Sequence, residues 1–201
     1  KRYIAIELSV KVGPSPKWLT DKLTAYGIPS LNNVVDITNY VMVETSHPMH
    51  AFDSAKLSGP KLILRRAKSG EKFNTIQQGT TLTLTPDDLA ISDNSSVQCL
   101  NIIGGFDTRV TEATQNIILE TAVYDTASTR RTARHHKITT EGGSRHEKYQ
   151  DPAELPFTLA RAVYLLKKTA SAKVESEVSD YYPHPLTSRV IDFDFSEVVR
   201  L

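Results

Sequence analysis

The chain has 201 residues, of which 39% are hydrophobic and 23% charged, and its formal net charge at pH 7 is +1. These proportions exclude a disordered chain, and the small net charge excludes a surface that is basic throughout. No apolar run approaches the roughly 20 residues that a membrane-spanning helix needs, so no membrane partner is expected. Because Cys99 is the single cysteine, an intrachain disulfide is excluded and a reducing, cytoplasmic location is expected.

The N-terminal part of the chain predicts one strand and two helices. Residues 3–11 alternate between apolar and polar side chains, which is typical of a half-buried strand. Ser15 and Pro16 suit the cap and first position of a helix, and Gly27 is a natural helix end. Residues 33–44 are rich in β-branched side chains, but their apolar positions share one helical face, so they predict a second helix.

The middle of the chain predicts mainly strands. Short apolar or alternating segments are separated there by Gly, Asp and Asn, as in β-rich regions. The predicted strands cover residues 61–65, 80–85, 89–92, 98–103 and 116–122. A helix is predicted over 126–137, and residues 139–150 are predicted to be a loop because they show no clear period and contain Gly142 and Gly143.

The C-terminal part begins with a helix start signal. Asp151 and Pro152 suit the cap and first position of a helix that continues to about residue 169. Residues 174–178 and 190–195 have the composition of strands. Since helices and strands do not alternate regularly, the predicted fold class is α+β, with mixed sheets packed against helices.

Two features are candidate sites for chemistry. His47, His50 and Asp53 have a spacing that a metal site can use, but a proline separates the histidines and no fourth ligand lies near, so no metal is expected. Glu120 follows an apolar run in a predicted buried strand. A carboxylate there either has a structural partner or marks a functional site, and the sequence leaves both interpretations open.

A basic run occupies residues 130–137, which hold four cations, two histidines and no acid. Such a run is either a solvated helix face or a patch that contacts phosphates, and both interpretations stay open.

Several motifs in a fixed order resemble one family. The most specific segments are NVVDITNYVM at 33–42 and HPMHAFD at 47–53, and they are followed by IGG at 103–105, LETA at 119–122 and RHH at 134–136. Together they resemble the beta subunit of bacterial phenylalanine–tRNA ligases, in the third and fourth modules of its central region. The resemblance covers nearly the whole chain.

The resemblance implies a function in quality control of tRNA charging. In that family this region hydrolyses the ester of tyrosine wrongly attached to the phenylalanine tRNA, and its fold is two interleaved modules around a pocket. Residues 1–186 would form this editing domain and residues 187–201 the truncated start of the next module. Two alternatives are an inactive scaffold or RNA-contacting module of the synthetase, and a free-standing editing factor.

The resemblance also implies the site residues. The implied catalytic residues are His50, Glu120, Thr140 and Gly142, the implied substrate-binding residues are Pro48, Gly104, Gly105 and Glu120, and the implied tRNA contacts are Arg130, Arg131 and Arg134. A buried acceptor such as Glu120 would make the tyrosine hydroxyl a requirement, because phenylalanine would leave the carboxylate unpaired. Backbone amides near Gly104 or Gly142 would hold the ester or the attacking water.

The chain departs from the family pattern at a few of these places. Gly142 and His146 stand where the family usually has a small alanine and an aromatic residue, Asn101 replaces a common glycine, and residues 148–150 replace an Arg-Gly-Val stretch. The resemblance implies no cofactor for this segment, whereas ATP and magnesium are expected for the whole synthetase. The implied partners are the phenylalanine tRNA and the synthetase alpha subunit, in an α2β2 heterotetramer.

Overall fold

The fold is α+β, as predicted, with antiparallel sheets and five α-helices in the described residues. The computed structural model describes residues 1–59, 61–77, 79–187, 190–192, 194 and 196. The strands are β1 (Arg2–Ser9), β2 (Met49–Asp53), β3 (Ile63–Arg66), β4 (Lys72–Asn74), β5 (Thr81–Thr83), β6 (Leu89–Ser92), β7 (Val97–Leu100), β8 (Ile103–Gly104), β9 (Asn116–Val123), β10 (Lys173–Val174) and β11 (Ser179–Tyr181). The helices are α1 (Lys17–Tyr26), α2 (Asn33–Thr45), α3 (Thr126–His136), α4 (Glu141–His146) and α5 (Leu155–Thr169). No helix among these residues is long and apolar enough to cross a membrane.

The first sheet combines strands from both ends of the chain. Its order is β10-β1-β9-β2, with β11 also paired to β1, and all the pairs are antiparallel. The predicted alternation in β1 is confirmed, since Ile4, Ile6 and Leu8 are buried. Helices α2 and α5 pack in the same core, to which Ile37 and Leu159 belong. Each such fully buried side chain contributes roughly 1.5–3 kcal/mol of hydrophobic stabilisation.

Helices α1 and α2 confirm two predicted segments, with one different cap. Helix α1 ends at Gly27, whose φ of +88° is the left-handed conformation that glycine favours. Ser15 does not cap α1; its hydroxyl donates instead to the buried carboxylate of Asp36. Helix α2 forms despite its β-branched residues, because Asn32 caps it and because Val34, Ile37 and Val41 are buried on its inner face.

The second sheet is made by the middle of the chain, which is inserted between β2 and β9. Its order is β3-β6-β7-β8, and β4 and β5 form a separate pair. The predicted strand over 98–103 is wrong in its middle, because the chain turns at residues 101–102 so that Cys99 pairs with Gly104. Strands β2 and β4 were not predicted.

Helix α3 confirms its prediction, but the predicted loop over 139–150 is wrong. Residues 141–146 form α4, which Thr140 begins by accepting a hydrogen bond from the backbone N–H of Gly143. Close packing favours glycine at 143, because a Cβ there would lie in tight contact, 3.0 Å, with Thr140 Oγ1. Asp151 caps a short 3₁₀ turn that leads directly into α5. The helical segment therefore begins where it was predicted, but its first turn is 3₁₀ and the α-helix proper begins one turn later, at Leu155.

The predicted strand over residues 174–178 is wrong. Strand β10 ends at Val174 and β11 begins at Ser179, and both pair with β1. The predicted strand over 190–195 and the predicted start of another module at 187–201 lie partly outside the described residues. The boundary at residue 186 stays a prediction.

Candidate functional site

A cavity of about 260 Å³ opens where the two sheets meet helix α4. Its walls come from strands β2 and β9 of the first sheet, from the 101–104 turn of the second sheet and from the first turn of α4. The structure thereby brings together six of the predicted site residues: Pro48, His50, Gly104, Glu120, Thr140 and Gly142. Gly105 does not line this cavity, and the three arginines of the basic run lie elsewhere.

His50 and Glu120 form a directly opposed pair across strands β2 and β9. Residues opposite each other on antiparallel strands point to the same face of the sheet, so both side chains enter the cavity. Burial raises the pKa of Glu120 to about 8, and its Oε2 atom has no hydrogen-bond partner in the described structure. Glu120 is therefore mostly uncharged at pH 7 and has hydrogen-bonding capacity left for a ligand.

The His50 ring is also neutral and incompletely bonded. Burial lowers its pKa to about 4, and Nε2 lacks a partner within the described residues. The ring packs edge to face on Phe52, with 4.4 Å between ring centroids. An uncharged imidazole in this position donates one hydrogen bond from one ring nitrogen and accepts one at the other, but it carries no positive charge to offer an anion.

The two adjacent glycines of the 103–105 motif have different roles. A Cβ at Gly104 would overlap the Cε1 atom of His50 and lie 3.1 Å from its Nδ1, so glycine is needed for the imidazole to occupy its place. A Cβ at Gly105 would overlap the carbonyl oxygen of Gln98 in β7. Gly105 therefore supports the cavity wall from behind instead of facing a ligand.

The first turn of α4 forms the wall next to Pro48. The Thr140 hydroxyl donates to the carbonyl of Ile102 at 2.7 Å and accepts from Gly143, so it ties α4 to the 101–104 turn. Its implied catalytic role stays a prediction. A Cβ at Gly142 would stand 3.4 Å from Pro48 Cβ, an ordinary contact. The site therefore has room for an alanine at 142, and glycine leaves the cavity one methyl group wider.

The structure adds cavity residues that the sequence did not identify as site residues. Tyr124 lies four residues after Glu120, one residue past the end of β9. Burial together with the nearby Glu120 raises the pKa of its hydroxyl well above the usual value. Cys99 is buried in the same wall, and burial raises the pKa of its thiol. Extending the period-2 pattern of β9 by one residue puts Tyr124 on the Glu120 face, so that signal was available in the sequence.

His146 has a defined proton position. The amide nitrogen of Gln150 donates to the carbonyl of Ser46, so its Oε1 atom faces His146 Nδ1 at 2.9 Å and must accept from it. Burial lowers the pKa of His146 to about 4, which makes the ring neutral. The proton therefore sits on Nδ1, and the ring packs edge to face on Tyr124.

The His47, His50 and Asp53 spacing does not produce a common site. Both ring nitrogens of His47 lie against backbone carbonyls, those of Thr45 and Asp151, and Asp53 accepts from the Thr114 hydroxyl. Among the residues that the structure describes, no group of three or more His, Cys, Asp or Glu side chains is arranged to hold a metal ion.

The basic run lies on helix α3, which packs against α4. Arg130, Arg131 and Arg134 are all exposed, and Arg130 lies 3.6 Å from the carboxylate of Glu147. His136 belongs to the same run but turns inward and contacts Asp88 at 2.9 Å. The run is thus a mixed face, with its three arginines directed to solvent.

Comparison with known proteins assigns the class of this fold and site. Residues 2–171 match the B3/4 domain family, and the chain belongs to that family. It is 40% identical, over all of its 201 residues and 25% of the relative, to the phenylalanine–tRNA ligase beta subunit of Geobacter metallireducens. It is 42% identical to that of Geobacter sulfurreducens, over 96% of this chain and 24% of the relative. The resemblance to this beta subunit is therefore confirmed, and the chain spans about a quarter of the length of these curated relatives.

A solved structure of a beta-subunit fragment with a similar name is less similar to this chain. The N-terminal fragment of the phenylalanyl-tRNA synthetase beta-subunit from Pyrococcus horikoshii superposes with a TM-score of 0.42 at 14% identity, over 66% of this chain and 44% of that one.

Proposed function

We propose that this chain is the editing domain of a phenylalanine–tRNA ligase beta subunit and hydrolyses the ester of tyrosine on the phenylalanine tRNA. The observation that carries the proposal is the unpaired Oε2 atom of Glu120 inside a cavity of about 260 Å³. A buried carboxyl group without a partner costs roughly 1–3 kcal/mol, and a ligand that supplies the missing hydrogen bond recovers it.

The hydroxyl of tyrosine is such a ligand group. Because burial raises the pKa of Glu120 to about 8, its carboxyl group is mostly protonated at pH 7 and can donate to the phenol oxygen or accept from the phenol O–H. Phenylalanine fits the same space but leaves the carboxyl group unpaired. Sites built to bond a substrate hydroxyl reject the analogue that lacks it, and this asymmetry supports a preference for tyrosine.

The remaining cavity residues support the position of the ester. Pro48 and Gly142 are neighbours in the cavity wall, where glycine leaves more room than a larger side chain would. His50 lies beside Glu120 with a free nitrogen for the amino group or the terminal adenosine. Backbone N–H groups near Gly104 and Gly142 are the proposed donors to the ester or the water.

The tRNA body is proposed to contact the exposed arginines of α3. Replacing Arg130, Arg131 and Arg134 together by methionine should raise the KM for the charged tRNA and make it less sensitive to salt, because phosphate contacts release counterions. An unchanged salt dependence would exclude α3 as a phosphate contact.

The wider partners and reaction follow from the relatives and are proposals for this chain. They are an alpha subunit in an α2β2 enzyme that uses ATP and magnesium to attach phenylalanine, with this segment contributing ester hydrolysis and not aminoacylation. The cytoplasm is the proposed location.

The experiment is deacylation, by the full-length protein assembled with its alpha subunit, of phenylalanine tRNA carrying either tyrosine or phenylalanine. Faster hydrolysis of the tyrosine ester supports the proposal. Equal, slow loss of both esters at the rate without protein would instead favour an inactive scaffold. Hydrolysis of the tyrosine ester by the full-length protein without an alpha subunit would favour a free-standing editing factor.

A further inference from the structure

A second and larger depression adjoins the cavity. It encloses about 930 Å³ between the loop at residues 12–14, the N-terminal half of α2 and the loop at residues 109–112, and we call it the α2 groove. The cavity and the α2 groove share five lining residues: Asn39, Met49, His50, Ile76 and Gly104. The two spaces therefore adjoin at the His50–Gly104 contact, as a ligand that occupies both would require.

We propose that the α2 groove binds the unpaired 3′-terminal nucleotides of the RNA whose aminoacyl group occupies the cavity. The inference rests on the proposed function, which places an ester at the cavity but does not say along which surface the RNA reaches it. The volume of about 930 Å³ lies near the upper end of the range for ligand pockets, roughly 300–1,000 Å³, so the groove has room for a nucleotide. His50, whose buried Nε2 lacks a partner within the described residues, lies in the wall that the cavity and the α2 groove share.

The lining of the α2 groove has the chemistry that single-stranded RNA requires. Splayed bases are recognised by stacking on flat or apolar surfaces and by hydrogen bonds to their edges. Leu31 and Ile76 offer apolar surface, since they are 69% and 43% exposed. Asn39 offers an amide group, which can donate and accept at once and so match a base edge, and the amide nitrogen of Asn32 can donate while its oxygen caps α2.

One cation is available for the RNA backbone. The Arg109 guanidinium lies 3.6 Å from the centroid of the Phe106 ring and donates to the Phe106 carbonyl at 2.7 Å. Within the described residues it has no carboxylate within ion-pair distance, so its charge is free for a phosphate. Glu112, exposed on the same rim, offsets part of that charge. Base contacts should therefore contribute more than backbone charge, and binding in the groove should depend only weakly on salt.

Photo-crosslinking locates the RNA directly. The full-length protein is irradiated with phenylalanine tRNA that carries a photoreactive pyrimidine in place of its penultimate base, and the crosslinked peptides are identified by mass spectrometry. Crosslinks within this chain at residues 31–39 or 104–112 support the inference. Crosslinks within this chain that are confined to 126–137, or none in this chain, would overturn it. This result does not depend on whether the ester is hydrolysed, so it is separate from failure of the proposed function.

Deacylation kinetics give a second readout. Leu31→Trp, which fills the groove, and Arg109→Met, which removes its cation, should each raise the KM for tyrosine-charged tRNA about tenfold with kcat within about twofold. The matched controls Leu186→Trp and Lys173→Met change exposed residues that do not line the groove and should leave both constants unchanged. Groove variants that behave like their controls would contradict the inference even when the wild-type protein hydrolyses the ester.

Discussion

His50 occupies the space that a side chain on residue 104 would need. The imidazole lies directly against Gly104, and it is held there by β2 and by its edge-to-face contact with Phe52. Because both the cavity and the α2 groove include this contact, the pair determines the shape of the junction between them.

Gly104→Ala should displace the His50 ring and destabilise the fold. Forcing an extra methyl group into a packed site costs typically 1–3 kcal/mol, so the free energy of unfolding should fall by about that amount. Urea unfolding of the chain measures it. Gly13→Ala is the matched control, because a Cβ there meets nothing within 4 Å, and it should change stability by no more than about 0.5 kcal/mol. Equal stability of the two variants would show that the His50 ring can move freely.

Glu120→Gln should stabilise the chain more at high pH than at low pH. The folded protein keeps the Glu120 proton up to about pH 8, whereas the unfolded chain releases it near pH 4.5. The folded state therefore binds more protons in that window, and wild-type stability falls as the pH rises from 4.5 to about 8. Glutamine does not titrate and removes this loss.

Thermal midpoints of wild type and Glu120→Gln at pH 5 and pH 8.5 give the comparison. Burial also lowers the pKa values of His50 and His146, so both proteins lose stability in acid, but that loss is common to them and cancels in the difference. A difference in midpoint that is the same at both pH values would mean that Glu120 ionises in its ordinary range.

Gln150→Met should weaken the fold by breaking the chain of hydrogen bonds from His146 to Ser46. Methionine is close to glutamine in size, but it leaves the His146 Nδ1–H and the Ser46 carbonyl without a partner, at a cost of about 1–3 kcal/mol. Gln115→Met, at an exposed position, is the control and should change little. If both variants unfold at the same urea concentration as wild type, the buried network adds nothing to stability.

Local signals in the sequence predicted much of the fold. The alternation in β1, the glycine that ends α1 and the apolar face of α2 each depend on neighbours within a few residues, and each prediction is confirmed. The turn at residues 101–102 was missed because it lies inside an otherwise apolar run. Helix α4 was missed because it has six residues and two glycines, and the contacts of Thr140 with Ile102 and Gly143 hold it.

The candidate site was predictable in its residues but not in its geometry. The motif order identified Pro48, His50, Gly104, Glu120 and Gly142, all of which line the cavity. The sequence left open whether Glu120 has a structural partner, and only the register of β2 against β9 places it opposite His50 with one oxygen unpaired. The part played by His146 depends on a bond to Gln150 and on Ser46, which lies 104 residues away from Gln150.

The most direct test of the account is the ratio of deacylation rates for the tyrosine and phenylalanine esters, measured with the full-length wild-type protein and with Glu120→Ala. If Glu120 bonds the tyrosine hydroxyl, the variant should hydrolyse the tyrosine ester about 10- to 100-fold more slowly, since each 1.4 kcal/mol or so is tenfold. Hydrolysis of the phenylalanine ester should stay the same or rise, because no buried carboxyl group is then left unpaired. Glu120→Gln keeps a hydrogen-bonding group, so its ratio of tyrosine to phenylalanine ester hydrolysis should lie between those of wild type and Glu120→Ala. An unchanged preference for tyrosine in a folded Glu120→Ala protein would contradict the account.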